Sequence, residues 1–147
     1  MTRFLAIIIL ATGTTGCLSF LSPSTVDPAA TTADALKGAW APVSSGSTAP
    51  NTCTDFHWTV ADVTGTTASG GFTAKCLGTM PVSGIARGTL SGETLAWTVT
   101  ATGITPAGLA CPVSLTGTAT FDGTQIRVPY TGTTCLGSVS GAEILRR

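Results

Sequence analysis

The chain has 147 residues, 10% of them charged and 43% hydrophobic, with no formal net charge, 18 Gly and a single His. A neutral chain without a basic stripe is not built for nucleic acid, and scattered carboxylates beside one His leave little material for catalysis. Abundant Gly and Thr, with no long apolar run after the N-terminus, suit many short strands and turns rather than helices or disorder.

The N-terminus opens Met1-Thr2-Arg3, then FLAIIILA and the small residues TGTTG, the form of a secretory signal. Its apolar run falls short of the ~20 residues that span a bilayer. Gly16-Cys17 follows directly. This junction resembles the lipobox of bacterial lipoproteins, in which a small residue precedes a Cys that is diacylated and becomes the new N-terminus. The resemblance implies a lipid on Cys17 and a membrane anchor. The alternative is an ordinary secretory signal cut near Gly13 or Gly16 and a simply secreted protein. Leu18-Ser19 lacks the Asp that retains enterobacterial members at the inner membrane, so the resemblance implies the outer membrane in a Gram-negative cell.

The five Cys are an odd number, and an exported chain disfavours a leftover thiol. With Cys17 acylated, Cys53, Cys76, Cys111 and Cys135 form an even set for two disulfides in an oxidising compartment. Residues 17–35, rich in Ser, Thr, Pro and Ala, have little to bury and read as a tether. The expected organisation is a signal over 1–16, the tether over 17–35 and one folded domain over 36–147.

In that domain, LKGAWAPV puts Leu36, Gly38 and Trp40 on one face. TDFHWTVADV then sends Phe56, Trp58 and Val60 one way and His57, Thr59 and Ala61 the other. FTAKC continues with Phe72, Ala74 and Cys76 inward. The stretch GIARGTLSGETLAWTVTAT, residues 84–102, is a hairpin about Gly92-Glu93. It sets Leu90 against Leu95, Gly88 against Trp97 and Ala86 against Val99, and Gly88 is expected to clear space for the indole. CPVSLTGTATF buries Val113, Leu115, Gly117, Ala119 and Phe121, and Asp122-Gly123 marks the next turn. QIRVPYTG follows with Ile126, Val128 and Tyr130 inward. The last strand, SVSGAEILRR, can face inward either through Val139, Gly141, Glu143 and Leu145 or through Ala142 and Ile144.

Strands joined in order by short links predict an all-β fold: an eight-stranded antiparallel up-and-down meander barrel, disulfide-stapled. A two-sheet sandwich is the alternative, but it needs longer crossing connections. Cys53 with Cys76, and Cys111 with Cys135, each bracket one hairpin. For the second pair, a bulge at Pro129 would absorb a one-residue offset. Gly38-Ala39-Trp40, opening such a meander, resembles the calycins (lipocalins and the avidin type). There a Gly-x-Trp plugs the closed end of the barrel, and in lipocalins an Arg near the last strand stacks over the Trp. The resemblance implies that role for Arg146 or Arg147. The polar biotin contacts of the avidin type are not recognisable here, so biotin is not carried over.

His57 points outward with no ligand set beside it, so no metal and no cofactor are expected. Asp55 and Asp62 lie ~23 Å apart on an extended strand, too far for a catalytic pair. The inward aromatic set holds the candidate ligand-lining residues Trp40, Trp58, Trp97 and Tyr130, with Phe56, Phe72 and Phe121. Such residues either line a calyx for a small apolar ligand or fill a barrel whose other positions are Gly and Ala. The leading expectation is a non-catalytic binding barrel taking a small apolar ligand or a protein partner. The alternative is a packed structural or interaction domain acting through its loops, for instance on a secreted enzyme.

Overall fold

A computed structural model describes residues 34–44 and 49–147. The signal, Cys17 and all of the tether up to residue 33 lie outside the described residues. Eight strands follow in chain order: β1 Gly38–Pro42, β2 Cys53–Thr64, β3 Thr67–Cys76, β4 Met80–Ser91, β5 Thr94–Ile104, β6 Ala110–Phe121, β7 Gln125–Thr134 and β8 Gly137–Arg146. Each pairs antiparallel with the next, and β1 pairs with β8, so the sheet closes into a barrel. Closure follows from the alternation: each strand has one apolar face, and eight such faces can be buried together only inside a ring.

The central hairpin has the expected register, Leu90↔Leu95, Gly88↔Trp97 and Ala86↔Val99, around the turn at Gly92 and Glu93. Its inward residues are buried, as are Phe56, Trp58 and Val60 of β2 and Ile126, Val128 and Tyr130 of β7. β8 resolves to one phase. Val139, Glu143 and Leu145 are buried, while Ile144 is exposed.

Two details differ from the sequence reading. Between β6 and β7 the register runs unchanged from Val113↔Thr134 to Phe121↔Ile126, so the expected bulge at Pro129 is absent. The turn is wider instead. Asp122 Oδ1 accepts hydrogen bonds from the Thr124 and Gln125 amides and from the Thr124 hydroxyl, each at 2.8 Å. The two amides and then the hydroxyl hold its carboxyl down at about 2. A two-residue turn at Asp122-Gly123 would have set Cys111 against Thr134, whereas Val113 stands there. The register shifts occur in β2, between Thr54 and His57 and between Val60 and Asp62. The first of them puts Asp55 at φ 56°.

Gly88 also does something other than clear the indole. A Cβ there would meet Leu95 Cδ1 at 2.7 Å. Gly117, on the other side of Trp97 in the register, is the one that faces the indole, since its Cβ would lie 3.1 Å from Trp97 Nε1.

The disulfides are Cys53–Cys76 and Cys111–Cys135. Both lie at the end of the barrel where β2 and β6 begin and β3 and β7 finish. The opposite end, the turn end, holds the β2–β3, β4–β5 and β6–β7 turns, the start of β1 and the finish of β8.

Candidate functional site

The turn end is plugged. Trp40 is 1% exposed, its Nε1–H donates to the Leu36 carbonyl at 2.8 Å, and Phe121 meets it edge-on at 5.8 Å. The guanidinium carbon of Arg147 lies 4.7 Å from the centre of the same ring, within cation–π range. Trp40 is therefore fully used in closing this end.

Tyr130 is used elsewhere. Its hydroxyl donates to the Cys53 carbonyl and accepts from the Cys53 amide, both at 2.6 Å. This bond ties β7 to β2 across a place where β1 is too short to reach. Gly141 of β8 makes the crossing possible, because a Cβ there would sit 2.5 Å from the hydroxyl oxygen. Beside it, burial and then the negative charge of Asp55 push the Glu143 carboxyl above its ordinary value. Asp55 itself pairs with Lys75 at 2.7 Å. Burial likewise pushes the Tyr130 hydroxyl up, against the opposing Cys53 backbone bond and with a contribution from Glu143. Sequence reasoning did not single out Glu143 because the last strand alternates plausibly in either phase.

The other two candidates come together. Trp58 and Trp97 line an internal cavity of about 20 Å³ with Phe56, Phe72, Ala86, Leu95, Ala119, Ile126, Val128 and Leu145. Phe56 is the hub of the aromatic cluster, with Phe72 at 5.1 Å, Tyr130 at 5.0 Å and Trp97 at 6.5 Å between ring centres. Every lining side chain is hydrocarbon except for the two indole N–H groups, and neither of those has a hydrogen-bond partner. No nucleophile or titrating group lines the cavity. What the arrangement can do is enclose an apolar body between aromatic faces.

His57 is exposed on the outer wall. Among the described residues no group of three or more His, Cys, Asp or Glu could hold a metal ion. The disulfide end carries exposed apolar side chains, two of them within the 103–110 stretch on which the interaction-domain alternative rests: Leu109 is 66% exposed, Leu136 58% and Ile104 47%. Ile104 ends β5, Leu109 immediately precedes β6 and Leu136 follows Cys135 in the β7–β8 turn.

No family model matches this sequence, and no curated protein does. Among solved structures the chain is similar to a redesigned β-barrel, mFAP1, bound to DFHBI. The TM-score is 0.53 at 21% identity, over 78% of this chain and 97% of that one. At that identity the likeness concerns the fold.

Proposed function

We propose that this protein is an exported, lipid-anchored, non-catalytic barrel that holds a small apolar ligand in its interior. The observation that carries the reading is the hydrocarbon-lined cavity between Trp58 and Trp97, set between the Trp40 plug and the stapled end. The ligand bound to the redesigned barrel lends analogy only, because barrels of one shape host many functions. At about 20 Å³ the cavity is close to the size of one water. A ligand must therefore displace the aliphatic ends of Leu95, Ile126, Val128 or Leu145. Benzene tests this directly. Saturating benzene should raise the melting temperature by about 2–4 °C through preferential binding to the folded state. No rise at saturation would discard the interior site.

The smallness of the cavity also favours a second reading, in which a barrel packed to its centre acts on a protein partner through the exposed apolar residues Ile104, Leu109 and Leu136 at its disulfide end. Replacing Leu109 and Leu136 by Ser would then abolish partner capture without changing the melt.

The anchor rests on the Gly16-Cys17 junction and on the pairing of the other four Cys, which leaves Cys17 as the odd one. Two disulfides agree with an oxidising compartment outside the cytoplasm. A palmitate analogue fed to cells should label the wild type and not Cys17→Ser. Equal labelling of both would leave a simply secreted protein. In a Gram-negative cell the address is the outer membrane.

A further inference from the structure

The two disulfides differ in what surrounds them. Cys53 and Cys76 are 1% and 0% exposed and face each other as a rung of the β2–β3 ladder. The Tyr130 hydroxyl bonds both backbone groups of Cys53, and the Leu77 amide donates to the Thr52 carbonyl one step beyond, at 2.8 Å. Cys111 is equally buried, but its partner Cys135 is exposed in the turn between β7 and β8. An external thiolate therefore has one of the four paired cysteines within reach. That cysteine also has a prepared leaving group. The Cys135 amide donates to Cys111 Sγ at 3.0 Å, and a hydrogen bond to the sulfur favours its thiolate form. No charged residue occurs in 105–112 or 129–137, so nothing in these stretches repels an incoming anion.

Opening this bridge costs no rung of the barrel. The last β6–β7 pair at this end is Val113↔Thr134. Cys111 lies opposite Gly103 of β5, and Thr134 closes on Gly137 of β8. Both strands keep these partners when the sulfurs part. We propose that Cys135 is a thiol-exchange site, at which a small external thiol joins the folded protein as a mixed disulfide. The thiolate attacks Cys135 Sγ, and the Cys111–Cys135 bond breaks. A new disulfide forms between the incoming sulfur and Cys135, while Cys111 departs as a thiolate and takes up the proton that the incoming thiol gave up. One disulfide replaces another, so no oxidant is consumed. Return of the Cys111 thiolate onto Cys135 expels the small thiol and restores the bridge, which makes the modification reversible.

The test uses the full-length protein with both bridges intact and glutathione in large excess at neutral pH. Samples are quenched in acid, alkylated in denaturant and digested with trypsin. Lys37, Lys75, Arg87 and Arg127 separate the five cysteines onto five peptides, so each sulfur is read by mass on its own. Glutathione should appear on the 128–146 peptide and the alkyl group on the 88–127 peptide, with Cys53 and Cys76 still linked. Dithiothreitol should open Cys111–Cys135 more than about tenfold faster than Cys53–Cys76, because the buried bridge reacts only after local opening. Far-UV circular dichroism should keep its strand signal while only the first bridge is open. Glutathione found on the 88–127 peptide as often as on the 128–146 peptide would remove Cys135 as the point of attack. Both bridges opening at one rate, no adduct at all, or a barrel that unfolds as the first bridge opens would each overturn the exchange site.

Discussion

Truncating Trp40 to Ala should lower the stability of the barrel by about 3–5 kcal/mol, the upper range for deleting a buried aromatic. The ring is fully enclosed, with the Phe121 edge on one side and the Arg147 guanidinium over its face. It also carries the donor that the Leu36 carbonyl uses. Trp97, which the Gly88 register singles out in the sequence, loses a similar area but no hydrogen bond on truncation. Phe substitutions separate the two effects. Trp40→Phe should still cost about 1–3 kcal/mol, because a buried carbonyl loses its donor. Trp58→Phe and Trp97→Phe should be near neutral, because each removes an N–H that nothing accepts. Denaturant melts with the disulfides intact decide the matter. Equal losses for Trp40→Phe and Trp97→Phe would mean that the Leu36 bond contributes nothing to stability.

Removing the disulfides should be the other large effect. The bridges span 23 and 24 residues, and loops of that length contribute about 3 kcal/mol each by restricting the unfolded chain. A domain of this size has a net stability of about 5–15 kcal/mol, so losing both leaves it marginal. The links lie in different hairpins and share no partner. Replacing the Cys53, Cys76 pair and the Cys111, Cys135 pair by Ser should therefore subtract nearly additively. A double-pair variant that melts where the single-pair variants melt would show that one bridge carries the whole constraint.

The parts of this fold legible in sequence are those governed by alternation and tight turns. Ser-Gly-Glu-Thr fixes a two-residue turn and with it every partner along β4 and β5. Asp122-Gly123 misleads because the Asp side chain organises a wider loop, moving the β6–β7 register without any bulge. Glu143 stayed hidden because both faces of β8 are weakly apolar, so only its neighbours in the ring decide which one turns in. The candidate site divides along the same line. Period two places Trp40, Trp58, Trp97 and Tyr130 inside, but nothing local to each residue tells a plug from a cavity wall. That distinction depends on which acceptor lies within reach across the barrel: Leu36 for Trp40, Cys53 for Tyr130, and none for Trp58 and Trp97.

The join between β1 and β8 is the thinnest part of the wall, with only Ala41↔Arg146 and Pro42↔Leu145 in register. It also links the most distant segments of the domain. All the other neighbours are hairpins that form from adjacent sequence, whereas this pair must enclose nearly the whole domain before its contacts begin to compensate. Assembly is therefore expected to proceed as a growing meander, with the ring shutting last. The same asymmetry operates in reverse in the native state. Brief opening at this join should cost less than opening a hairpin, and hydrogen exchange is expected to begin there.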